Sequence, residues 1–203
     1  MLVAIALLTS LLATGCASVP AVPSVQMVPN RTPPPIGVRD TVYNPPRPAP
    51  ALRLTDQDGK PFALTSLRGS PVFVYFGYTH CPDVCPTTLA DLRAAISAAG
   101  IDAKVVFVTI DPARDTPAKV KQYLDFYAAG FIGLSGSDAD IATAAKDWAV
   151  GYLAGPADSN GNYPMTHTTE SYLVDGAGLL RNHIFFGAPT SLIVSILRTA
   201  TGA

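Results

Sequence analysis

An α/β fold is expected for the chain from about Ala51 onward, on three observations. Two apolar runs rich in β-branched and aromatic residues, 71–76 and 104–110, have the composition of strands buried on both faces of a sheet. A segment with helical apolar spacing follows each run, an alternation that implies parallel strands joined by right-handed crossovers. A pair of cysteines, Cys81 and Cys85, falls at the first of these strand-to-helix junctions.

The N-terminal quarter has a different character. Met1 to Cys16 is an uncharged apolar stretch, short for a bilayer span, that ends in small residues before a cysteine. It resembles a bacterial lipoprotein signal over residues 1–15, which implies cleavage after Gly15 and lipid attached to Cys16. An uncleaved apolar anchor is the other reading, and both place the domain outside the cytoplasm. Residues 16–50 read as a disordered Pro-rich tether. Ten prolines between Pro20 and Pro50, with almost no apolar periodicity, rule out a helix or an interior strand. An extended chain of about 3 Å per residue is favoured instead; a proline-rich ligand for a partner is the alternative. If Cys16 carries lipid, the chain's three cysteines leave one pair.

The domain, residues 51–203, opens on a β-hairpin: Leu52 to Leu54 and Phe62 to Leu64 alternate around the turn signal Asp56-Gln-Asp-Gly-Lys60. Residues 71–76 form the central strand and Gly77 ends it. Pro86, Thr87 and Thr88 then open a helix with Leu89, Leu92 and Ile96 at helical spacing. Lys104 to Ile110 repeats the buried-strand signature, and Asp111-Pro112 stops it. Thr116-Pro117 starts a helix to about Tyr127, with Val120, Tyr123, Leu124 and Tyr127 on one side. Phe131 to Leu134 is a short strand, and Ser137-Asp138 caps a helix from about Ala139 to Trp148. After the polar, turn-rich Gly155 to Asn162, the strands Ser171 to Val174 and Leu179 to Phe186 form an antiparallel hairpin around Asp175-Gly-Ala-Gly178. Pro189 opens a closing helix whose apolar face is Leu192, Ile193, Ile196 and Leu197. The order βαβ, then ββα, with a dithiol after the first βα junction, is that of a thioredoxin-like fold. An N-terminal β-hairpin extension precedes it, and an extra βα element sits in its middle.

The dithiol carries the chemistry. Cys81 and Cys85 lie near a helix N-terminus, where unpaired amides and the helix dipole stabilise a thiolate. If the first turn includes both, positions i and i+4 share a face, within reach of one metal ion or of each other. A structural disulfide is the plainer alternative, although closing so short a loop removes little unfolded-state entropy.

Three separated segments resemble the SCO/SenC family of copper-handling proteins: Phe76-Gly-Tyr-Thr-His-Cys-Pro-Asp-Val-Cys-Pro86, Val108-Thr-Ile-Asp-Pro-Ala-Arg-Asp-Thr116 and Thr166-His-Thr-Thr-Glu-Ser-Tyr-Leu-Val-Asp175. The resemblance implies copper ligation by Cys81, Cys85 and His167, assistance in assembling the CuA centre of cytochrome c oxidase, and in some members thiol–disulfide reduction through a Cys81–Cys85 disulfide. It also implies two protein partners, the copper-bearing oxidase subunit and a copper donor. With the lipid anchor, it places the domain at the periplasmic face of a bacterial membrane. Asp111 matches a recurring acidic position of the family and is equally an ordinary strand-ending turn residue. The donor set agrees with the implied metal: two thiolates and an imidazole suit three-coordinate Cu(I), with Cu(II) as a second state, whereas structural zinc takes a fourth ligand. His80 adjoins a coordinating cysteine and is expected to turn away. His183, beside Ile184, Phe185 and Phe186, reads as a structural strand residue.

Nucleic acid is excluded as a partner, because 14 basic and 15 acidic residues leave a formal charge of -1 and no basic run. The nearest rival function is a thiol–disulfide oxidoreductase using Cys81 and Cys85 as its redox-active dithiol. Such proteins usually carry CxxC and a cis-proline facing it, whereas the stretch His167 to Ser171 has no proline. A peroxiredoxin would place its threonine three residues before the reactive cysteine, and Thr79 lies two before Cys81.

Overall fold

The computed structural model describes residues 42–127 and 130–202. The signal and Cys16, and the expected tether as far as Thr41, lie outside the described residues.

Hydrophobic patterning accounts for the centre of the domain. Strand β4 (Val72–Gly77) is buried at every residue and pairs in parallel with β5 (Lys104–Thr109). Successive side chains of β4 point to opposite faces. On one face Tyr75 meets Phe107, which meets Tyr123 of helix α2 (Pro117–Asp125). On the other, Phe76 meets Trp148 at the end of helix α3 (Asp138–Asp147), and Trp148 meets Tyr172. A strand covered on both faces has no use for alternation, hence its unbroken apolar run.

Helix α1 (Val84–Ala99) joins β4 to β5, and α2 joins β5 to β6 (Ile132–Ser135), which pairs in parallel with β5. Pro117 occupies the first turn of α2 behind the Thr116 cap, and Ser137 with Asp140 forms a capping box on α3. The expected hairpin is present as β2 (Arg53–Asp56) and β3 (Pro61–Ala63), and β2 also pairs antiparallel with β6, so the extension lengthens the sheet at that edge.

The C-terminal hairpin is β9 (Ser171–Val174) and β10 (Leu179–Ile184), followed by α4 (Thr190–Thr201), which packs on α1. Strand β9 runs antiparallel to β4. The βαβ and ββα halves of the thioredoxin-like order are thus both in place. Among the described residues no helix is long and apolar enough to cross a membrane.

Two expectations need correction, and a third feature was not anticipated. The domain begins before Ala51, because Val42–Pro48 forms strand β1, antiparallel to β10 at the sheet's edge. Prolines are tolerated there since an edge strand can leave its outward amides unpaired. The full sheet order is β1-β10-β9-β4-β5-β6-β2-β3. The second correction is that α1 starts at Val84, so Cys85 is in its first turn and Cys81 is outside the helix. The third is a separate hairpin, β7 (Tyr152–Ala154) with β8 (Met165–His167), flanking the turn-rich segment. Its strands are three residues each and none of those residues is buried, so they carry no apolar alternation.

Sheet directions then decide what meets. The carboxyl ends of parallel β4 and β5 release Tyr78 to Asp83 and Ile110 to Thr116 at one end of the sheet. Because β9 is antiparallel to β4, with Ser171 opposite Tyr75, the residues leading into β9 arrive at that same end.

Candidate metal centre

Cys81, Cys85 and His167 converge at this end, their sulfur and ring-nitrogen atoms all within 4.8 Å of one another. Cys85 is fully buried on α1, and its sulfur lies against the Gly77 backbone. Cys81 and His167 are half-buried. Both cysteines are free thiols.

Hydrogen bonds set where the protons of the three donors sit. The Cys85 amide, an orphan donor of the first turn of α1, donates to Cys81 Sγ at 3.3 Å, so the sulfur caps the helix although it lies outside it. A hydrogen bond from the Cys85 thiol, aided against burial by the amides of Cys85 and Asp83, brings the Cys81 thiol down to about 4. The same bond and deep burial push the Cys85 thiol up. The result is one proton on two sulfurs, with the half-buried Cys81 as the thiolate. His167 Nδ1 lies 2.7 Å from the Thr168 carbonyl. A carbonyl only accepts, so Nδ1 carries the proton and Nε2, 3.8 Å from Cys85 Sγ, offers its lone pair. The rings of Tyr75 and Tyr78 stand edge-on to the imidazole at 6.3 and 6.0 Å.

The other sequence candidates fall elsewhere. His80 turns to Thr79 Oγ1 and Asp115, with Nδ1 3.6 Å from Asp115 Oδ1. His183 lies on β10, 3.4 Å from Glu170 and edge-on to Tyr43. Asp111 contributes no atom to the cluster; it accepts from Tyr163 Oη and from Arg114. Sequence reasoning missed Arg114, Asp115 and Tyr163. The first two were within reach, since they lie in the matched segment Val108 to Thr116, whereas Tyr163 sits in a polar loop that has no signature of its own.

The SCO1/SenC family model matches residues 44–202. The chain belongs to the SCO1/SenC family. The match starts within β1, in agreement with the corrected domain boundary. Among relatives, a Stutzerimonas stutzeri protein named as a candidate copper-binding protein is 40% identical over 143 residues, covering 68% of this chain and 69% of its own. Among solved structures of this family, Bradyrhizobium japonicum ScoI with copper bound is 36% identical with a TM-score of 0.65, covering 74% of this chain and 97% of that one. Arabidopsis thaliana ScoI with copper bound is 30% identical with a TM-score of 0.68, covering 71% and 92%.

Proposed function

We propose that this SCO1/SenC protein is a copper metallochaperone whose cargo is held by Cys81, Cys85 and His167. The observation that carries the reading is the convergence of two sulfurs and one unprotonated imidazole nitrogen within 4.8 Å. Soft thiolates with one borderline nitrogen match Cu(I), and the imidazole adds affinity for Cu(II). A half-buried rather than sealed site suits transfer, because an incoming ligand can reach the ion from the Cys81 and His167 side while Cys85 stays fixed. The recipient, in this reading, is the copper-bearing subunit of cytochrome c oxidase at its CuA centre, with a separate protein donating the copper. Cys16 carries a lipid that anchors the chain, through its Pro-rich segment, at the periplasmic face of a bacterial membrane.

One observation favours a second activity at the same residues. A half-buried, low-pKa Cys81 beside a protonated, fully buried Cys85 is the arrangement of an attacking and a resolving thiol, so the pair can also reduce a partner's disulfide, forming its own.

His167→Ala separates the two. Thiol–disulfide exchange needs no imidazole, so the full-length variant is expected to form and reduce the Cys81–Cys85 disulfide as the wild type does. It should also bind Cu(I) more weakly, lose stable Cu(II), and leave cells deficient in oxidase assembly. Normal assembly with His167→Ala, in a background where Cys81→Ser fails, selects the reductase and eliminates the chaperone.

A further inference from the structure

The two ligand-bearing segments share one short loop as their support. Between β5 and α2, Asp111 to Asp115 is closed on itself by amides of Arg114 and Asp115 donating to the Asp111 carbonyl at 3.1 and 2.9 Å. At one end the fully buried Asp115 carboxylate accepts from Thr79 N at 2.9 Å, Thr79 Oγ1 at 2.6 Å and Thr109 Oγ1 at 2.7 Å. Thr79 is two residues before Cys81, so these bonds set the path of the chain into the dithiol.

The other arm of the loop grips the histidine side. The guanidinium carbon of Arg114 lies over the Tyr163 ring, 3.5 Å from its centroid, and Nη1 donates to the Tyr163 carbonyl at 2.8 Å. Arg114 Nε bonds to Asp111 Oδ2, and Asp111 Oδ1 accepts from Tyr163 Oη at 2.7 Å. Tyr163 is therefore held by ring, hydroxyl and backbone. Pro164 follows, its carbonyl accepting from Gly155 N at 2.8 Å, and then β8 with His167 at its end. Beyond the hairpin, the far end is tied by Thr168 N to the Gly151 carbonyl at 2.9 Å. Strands of three residues have few ladder bonds of their own, so the hairpin's position comes from what clasps it.

We propose that the Asp111–Asp115 loop is a brace that sets the separation of imidazole and thiolates, and that Arg114 is its positioning residue on the histidine side. The proposal rests on Cys81, Cys85 and His167 as the ligand set. Arg114 touches no ligand atom; it acts through Tyr163 and the four-residue run to His167. A guanidinium serves here because it stacks and donates in its own plane at once, which an ammonium cannot do.

The test uses full-length Arg114→Leu and Tyr163→Ala, with Arg93→Leu as control. Arg93 makes a similar bond, Nη1 to the Tyr127 carbonyl at 2.7 Å, away from the centre. In metal-free protein, amide hydrogen exchange at Gly155 and Thr168 is expected to speed up at least tenfold in both test variants, with β4 and β5 amides changed less than threefold. With Cu(II) added, the electron paramagnetic resonance spectrum should change its nitrogen coupling and Cu(II) affinity should fall at least tenfold. Cu(I) capture by the two sulfurs should fall less than threefold. Arg93→Leu should leave all of these readouts at wild-type values. Unchanged exchange at Gly155 and Thr168 overturns the brace, as does a uniform rise across the domain. Wild-type protein lacking nitrogen coupling would refute the ligand set, while exchange still judges the clasp. Should Arg114→Leu not fold, Tyr163→Ala, which removes only a half-exposed ring, decides by the same criteria.

Discussion

Replacing Gly77 by alanine places a methyl group where the Cys85 sulfur, Phe107 and Tyr75 already meet. The new Cβ would lie 2.9 Å from Phe107 Cε2, 3.0 Å from Cys85 Sγ and 3.1 Å from Tyr75 Cε1. All three neighbours are fully buried. Non-bonded carbons prefer about 3.5–4.0 Å, so each contact asks for a retreat of roughly 0.5 Å or more. Overpacking of this kind costs ~1–3 kcal/mol, and at about 2–4 °C per kcal/mol for a domain of this size the melting temperature should fall by ~2–12 °C. The sulfur cannot retreat without leaving its place in the donor set, and metal sites hold distances to about 0.2 Å. Competition with a Cu(I) chelator should then show affinity lowered at least ~tenfold, equivalent to ~1.4 kcal/mol. Gly133→Ala is the control: its Cβ would collide with Val120 and come 2.8 Å from Leu124 Cδ1, under α2 and away from the centre. It should lose at least as much stability while binding Cu(I) normally. Wild-type copper affinity in a destabilised Gly77→Ala protein would refute the steric reasoning, and equal loss in Gly133→Ala would show that copper binding simply follows global stability.

Three further outcomes are expected. Iodoacetamide should alkylate Cys81 of the reduced protein at a rate that is flat through neutral pH and falls only near pH 4, because the folded thiol titrates at about 4. Between there and the ordinary thiol range the unfolded chain holds the proton that the folded chain has released, so this contribution to stability grows with rising pH and is lost as pH falls through the folded value; a rate that drops near pH 8 contradicts the assignment. Asp115→Asn should lower the stability measured in urea by ~1–3 kcal/mol, since an amide cannot accept from all three of Thr79 N, Thr79 Oγ1 and Thr109 Oγ1; an unchanged midpoint would mean that these bonds contribute nothing net. Cys16→Ser should yield unprocessed or soluble protein with copper binding intact, and a processed variant still in the membrane fraction points to another anchor.

Local chemistry was legible in the sequence. The buried strands β4 and β5, the Pro117 and Ser137 helix starts, and the C-terminal hairpin follow from patterns a few residues long, and each is present where expected. The pairing of Cys81 with Cys85 is of the same kind, since four residues of separation keep the sulfurs close whether or not both lie in the helix. Only resemblance singled out His167 from His80 and His183.

Tertiary structure decided the rest, and for one reason: the deciding contacts join residues far apart in the chain. His167 reaches Cys85 across 82 positions because β9 runs antiparallel to β4 and delivers its lead-in to the dithiol end of the sheet. Arg114 reaches Tyr163 across 49 positions, and no pattern around either residue marks the other. Strand β1 was hidden by prolines that forbid an interior strand but suit an edge, and whether a strand is at an edge is settled by its neighbour β10 rather than by its own residues. Short-range sequence order paired the two sulfurs, and the directions of three adjacent strands brought the imidazole to them.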